Sequence, residues 1–312
     1  MEAKRSMLPG TAGRVFAVIA ALVVIEFVGL IPGLLFPAGA AVNQPPFREG
    51  ISAALTIAGA LWFIRLLQTK LEKRAMAEVG LSGPARACLL AFLLGSAMGA
   101  IAVALVPLLQ YAAGAIRFDP FLWEAAAAQG WVRPFWIFPV GGLFKFAAVG
   151  VVEELLFRGY LQTALQRCHG VKAAVVVSAL VFALAHFVNP GYAPLAFLNT
   201  LIVAVLLSLM FLFHASLWPV IGFHFAWDWV QTHLLQVAIN PSLGPRGFLV
   251  FKPEPGANSL LSGVPYGPEG TVFATVILLA LLIGYYGATR RRLGVPGDPG
   301  DSRDLVRTPG QC

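Results

Sequence analysis

Eight ionisable side chains stand in stretches that are otherwise almost wholly apolar: Glu26, Lys145, Glu153, Glu154, Arg158, His186, His224 and Asp228. Charge is costly to desolvate, so each such group is a candidate for function. Asn199 and His214 are weaker members of the same set. Glu154 and Arg158 are four residues apart, so on a helix they share a face and pair. Glu153 lies about 100° around that helix and is free for another partner. With one carboxylate neutralised by Arg158, the other is suited to take a proton from water as a general base. His186 closes Phe182-Ala-Leu-Ala-His186. His224 and Asp228 are also four apart, so Asp228 can fix the tautomer of His224, or the two can ligate a metal. Each motif has a plainer alternative. The carboxylates suit a helix-end charge cluster, His186 an interhelical hydrogen bond, and His224 with Asp228 a buried structural pair.

The elements that must position these groups are membrane helices. Of 312 residues, 58% are hydrophobic and 12% charged, and mean hydropathy is +0.77. A soluble domain carries about 25% charged residues. So few charges cannot solvate the surface of a soluble globule, which excludes a cytosolic enzyme, a disordered chain and a nucleic-acid module, despite a net charge of +7. A bilayer crossing takes about 20 apolar residues. Segments 14–36, 51–67, 87–113, 135–157, 173–189, 195–213, 217–238 and 270–288 meet or approach that length. The fold class expected is therefore all-α, a polytopic membrane protein of about eight transmembrane helices. Lys4 and Arg5 before the first segment and Ala38-Gly39-Ala40 after it suggest a signal peptide, but the apolar run is too long for one and Glu26 interrupts it.

Lys and Arg orient the bundle. With both termini cytoplasmic and the chain alternating, most of the 22 basic residues fall inside, Arg158 and Arg167 among them. Outside fall Arg48, Arg117, Arg133, Arg246 and Lys252. The division is a cytoplasmic segment 1–13, a helical domain 14–288 and a disordered cytoplasmic tail 289–312. Loop 239–269, rich in Pro and Gly, is expected to lack regular structure. Cys88, Cys168 and Cys312 show no paired spacing, which argues against a disulfide framework and excludes a zinc ribbon. Helix rise places Glu153 and Glu154 near the inner end of their span and permits one cluster with His186, His224 and Asp228 in the cytoplasmic half. Glu26 and Lys145 fall near mid-membrane and are expected to pair as structural glue between the first and fourth spans.

The three motifs, EExxxR at 153–158, FxxxH at 182–186 and HxxxD at 224–228, resemble those of the CPBP family of intramembrane proteases. That family includes the CAAX prenyl endopeptidases of the Rce1 type and bacterial relatives often called Abi proteins. Phe157-Arg158-Gly159 and Ser216-Leu217-Trp218-Pro219 extend the resemblance, which covers roughly residues 135–238. It implies an eight-helix intramembrane endopeptidase with a conical cavity open to the cytoplasm and bilayer. Glu153 would activate the attacking water, assisted by His186. Glu154 with Arg158 would hold the carboxylate helix, and His224 with residue 228 would stabilise the oxyanion. The family most often has Asn at that last position. An ionised Asp228 accepts but does not donate hydrogen bonds, so it is either protonated or orients His224.

A zinc ion on His186, His224 and Asp228 stays open as a third option, although no HExxH signature is present. A metal-free glutamate mechanism is preferred, with no cofactor required by the motifs. The partners implied are the bilayer and a peptide or protein substrate, membrane-anchored or prenylated in eukaryotic relatives, and no nucleic acid. Two other functions are compatible with the motifs: a non-catalytic immunity or scaffold protein of the same fold, and a proton-coupled transporter.

Overall fold

In a computed structural model, residues 10–35, 47–119, 137–237 and 247–293 are described. The expectations for Lys4, Arg5, Arg133, Arg246, Cys312 and most of the 289–312 tail lie outside them. Helix α1 spans Gly10–Leu35, and α2 spans Phe47–Arg65 and runs on through a π-helical turn to Leu71. Helix α3 spans Ala85–Ala112, and α4 spans Ile137–Glu154 and continues as a π-helix over Leu155–Gln162. Helix α5 is Thr163–Ala185, α6 is Pro194–His214, and α7 is Trp218–Trp229 with a π-helical extension to Leu234. The short α8, Ser259–Ser262, precedes α9, Val272–Leu293.

Six helical stretches among the described residues are long and apolar enough to cross a membrane. One of them, Pro139–Val188, is 50 residues long, more than twice the ~20 that a crossing needs. It breaks at Gly170, whose φ of 77° and ψ of 169° are non-helical and lie where glycine alone is unstrained. The protein is thus a helical, polytopic membrane protein.

Several sequence expectations change here. The helix bearing Glu153 and Glu154 does not end near them. All eight residues of Leu155–Gln162 are buried, and Arg158, assigned to a cytoplasmic flank by charge alone, is fully buried. Its polar side chains are satisfied inside the bundle, Arg158 by Glu154 and the Ala204 carbonyl and Tyr160 by Glu72, so the helix runs on beyond the last apolar run. Loop 239–269 carries regular structure. Strand β1 (Ile116–Phe118) and strand β2 (Leu235–Val237) flank β3 (Leu249–Pro253), antiparallel to β1 and parallel to β2. Ile116, Val237 and Phe251 form a small apolar cluster on this sheet, a minor addition to the helical fold. Cys168 is disulfide-bonded and Cys88 is free.

The chain has two ends. At one, Thr11 bonds to His169, and Arg14 binds Glu72 through Nε (2.7 Å) and Nη2 (3.1 Å). The Tyr160 hydroxyl donates to the same carboxylate at 3.1 Å. Burial works to raise the Glu72 carboxyl, but Arg14, Arg167 and Tyr160 hold it below the usual carboxylate range. At the opposite end lie the sheet and the connections that follow α5 and precede α9, where Asn189 donates to the Tyr266 hydroxyl.

Helix α7 carries His224 and Asp228, and its placement depends on α3. A Cβ on Gly95 or Gly99 would fall on the backbone of Pro219 or Phe223, and one on Gly222 would fall on the backbone of Phe92. These glycines let the two backbones touch, the usual route to close packing between membrane helices. Gly99→Val is expected to destabilise the fold by about 1–3 kcal/mol or more. Thermal unfolding in detergent should show a lower midpoint for it and none for Gly284→Ala, where nothing lies within 4 Å of the added methyl.

Candidate active site

Glu154 and Arg158 pair as their spacing predicts. Arg158 Nη1 donates to Glu154 Oε1 at 2.9 Å, and both side chains are fully buried. Arg158 Nη2 donates to the Ala204 carbonyl of α6 at 3.0 Å, and the guanidinium lies 4.5 Å from the Phe182 ring centre. The pair therefore ties α4, α5 and α6 together. A buried ion pair contributes little net stability, but removing one partner strands the other.

Glu154 Oε1 also accepts from His224 Nδ1 at 2.7 Å. Nδ1 of His224 is thus held from behind by Glu154, not by Asp228. Asp228 faces the other nitrogen: Oδ2 is 3.5 Å from His224 Nε2, and Glu153 Oε2 is 3.9 Å from it. The imidazole thus has a carboxylate bonded at Nδ1 and two more within ion-pair distance of Nε2. Glu153 Oε2 itself accepts no hydrogen bond from any described residue, so its lone pairs are free for a proton.

His186 sits at the C-terminal end of α5. Its Nδ1 is 2.8 Å from the Phe182 carbonyl. A carbonyl only accepts, so Nδ1 carries the hydrogen and Nε2 of the neutral ring is an acceptor. The Phe182 ring lies 4.7 Å from the His186 ring and 6.1 Å from that of His224. The phenylalanine of FxxxH is the wedge between the two histidines. Glu153, Glu154, Arg158, His224 and Asp228 form one connected cluster, and His186 joins it through that ring.

Glu153, His186, His224 and Asp228 line one cavity of about 360 Å³. Its wall adds groups that the sequence pattern did not single out for the site: Asn189, Gln231, Tyr266 and Glu269. These come from connections and a helix end, where spacing carries no signal. Lys145 lines it too. Lys145 was expected to pair with Glu26, and instead the two share, with Glu153, the wall of a second cavity of about 450 Å³. No ion pair joins them among the described residues.

Zinc does not fit. Among the described residues, no three His, Cys, Asp or Glu side chains are grouped as a metal site requires.

A buried Glu–Arg–His centre thus opens on a cavity inside a bundle of apolar helices. Residues 134–230 match the model of the Rce1-like family, the type II CAAX prenyl endopeptidases. That segment holds all three motifs. No curated protein and no solved structure matches the chain.

Arg158→Met leaves the Glu154 charge buried with only His224, and should cost about 3–5 kcal/mol. Adding Glu154→Gln should recover part of this loss in denaturant or thermal unfolding. Additive losses in the double variant would contradict the pairing.

Proposed function

We propose that the chain is an intramembrane endopeptidase of the CAAX-protease type in which Glu153 activates water. The observation that carries this is Glu153, which lines the cavity in the segment that matches the family, its Oε2 3.9 Å from His224 Nε2 and without a hydrogen bond from any described residue. Glu153 takes a proton as the water oxygen adds to the peptide carbonyl carbon, and His186 Nε2 assists as a second acceptor. His224, with both nitrogens protonated, donates from Nε2 to the oxyanion. Asp228 accepts from that same N–H before substrate arrives and so aims the ring. As the C–N bond breaks, Glu153 passes its proton to the leaving amine. The substrate is a peptide or protein segment, with a membrane-anchored or prenylated tail as the family's description suggests.

The helices support eight crossings: the long Pro139–Val188 stretch counts as two because of the break at Gly170, and Trp218–Leu234 adds one to the six. An even count puts both termini on one side, and the excess of Lys and Arg at that end assigns it to the cytoplasm. At ~1.5 Å per residue, Glu153 lies about 24 Å along its rod from Ile137 and about 25 Å from Gly170. It therefore lies near the middle of that rod. The cavity rim, with Asn189, Tyr266 and Glu269, belongs to the end away from Gly10 and Leu293, so this orientation makes the cavity open toward the non-cytoplasmic face.

Purified protein is expected to cleave members of a quenched peptide library. Glu153→Gln should lower turnover about 100-fold or more while remaining folded, and chelator should leave the wild type unchanged. Retained turnover in Glu153→Gln would remove Glu153 as the base. In a cysteine-free background, Val264→Cys should react with an impermeant maleimide on intact cells, and Arg291→Cys only after permeabilisation. The reverse pattern would invert the orientation.

A further inference from the structure

We propose that Glu269 is a positioning residue for the reaction, setting the rotation of the α7 turn that bears Asp228 through two hydrogen bonds. The inference rests on the endopeptidase reading above. Glu269 Oε1 accepts from Trp227 Nε1 and from Gln231 Nε2, each at 2.7 Å. These donors are four residues apart, one residue before Asp228 and three after it, so they share a helix face and flank Asp228 on the same turn. Fixing both fixes the direction in which Asp228 projects, and hence the acceptor that aims His224.

The anchor is itself held. The backbone carbonyl of Glu269 accepts from Asn199 Nδ2 of α6 at 2.7 Å. The same amide nitrogen donates to the Thr271 carbonyl at 3.0 Å, and Thr275 Oγ1 donates to Asn199 Oδ1 at 2.7 Å. Thr271 Oγ1 closes the turn on the Pro268 carbonyl at 2.7 Å. The carboxylate is thus held from α6 and the start of α9 and presented to α7. On its other side α7 is held by the glycine contacts with α3. The π-helical stretch that begins at Val230 departs from regular α-helical bonding, so the backbone alone does not fix the rotation of this turn and an external latch is effective there.

Glu269 lies outside the family-matched residues 134–230.

The experiment is steady-state cleavage of the library peptide best cut by the wild type, comparing Glu269→Ala, Glu269→Gln and the donor-side double variant Trp227→Phe/Gln231→Leu. Amide hydrogen exchange of α7 is measured alongside. A misplacement of about 1 Å costs about 100-fold, so Glu269→Ala should lose about 10- to 100-fold in kcat, with KM within about threefold. Gln keeps an oxygen that accepts two hydrogen bonds, so Glu269→Gln should recover most of that loss. The donor-side variant should reproduce the kcat loss, which keeps the test alive if Glu269→Ala does not fold. Exchange at 227–231 should quicken in Glu269→Ala and stay slow in Glu269→Gln.

Wild-type kcat in Glu269→Ala or in the donor-side variant overturns the inference. A loss carried by KM overturns it as well, as does Glu269→Gln behaving like Ala; both would mean that the carboxylate meets substrate directly. Cleavage that Glu153→Gln abolishes and Glu269→Ala leaves alone sinks this inference and spares the endopeptidase reading. No cleavage by the wild type sinks both.

Discussion

One carboxylate oxygen organises this protein. Glu154 Oε1 receives Arg158 Nη1 on one side and His224 Nδ1 on the other, in a place without exposed surface. The first contact is structural, joining α4 to α5 and α6 through Arg158, Phe182 and the Ala204 carbonyl. The second is chemical, because it leaves Nε2 of His224 as the nitrogen that faces the cavity. A charge this deep is tolerated only while both partners stay in place. The requirement couples correct packing of four helices to correct aim of one imidazole.

The adjacent carboxylate does different work because it points elsewhere. Glu153 is one residue away and about 100° around the helix, so it faces the cavity with an oxygen that no described residue occupies. Two identical side chains thus divide by helical geometry alone into a buried anchor and, in the proposed mechanism, a proton acceptor. His224 stands between them, bonded to the anchor and facing the acceptor. The close glycine contacts between α3 and α7 set how near that imidazole comes.

Much of this was legible in residue order. Spacing of four announced the Glu154–Arg158 pair, and apolar run length announced the membrane helices. The motifs at 153–158, 182–186 and 224–228 named the side chains that meet. What spacing did not disclose was contact between helices. The Glu154–His224 bond spans 70 positions, so local pattern pointed to Asp228, four residues from His224, as its orienting partner. Arg158 looked like a cytoplasmic flank because charge usually marks a helix end, whereas a π-helical continuation buries it. Glu269, in the Gly267-Pro268-Glu269-Gly270 turn, shows no periodicity, and only the folded chain brings it to Trp227 and Gln231. Glu26 and Lys145 illustrate the reverse. Equal depth suggested a pair, but depth does not fix direction around a helix, and they meet only across a shared cavity.

The state of His224 is the most direct gauge of this account. Ring-¹⁵N histidine NMR on the protein in lipid, with the His224 signal assigned by its loss in His224→Gln, reports which nitrogen carries a hydrogen and what accepts it. A protonated, strongly hydrogen-bonded Nδ1 that changes in Glu154→Gln and persists in Asp228→Asn is the result expected. An Nδ1 without a hydrogen, or one that responds to Asp228 and not to Glu154, would contradict it.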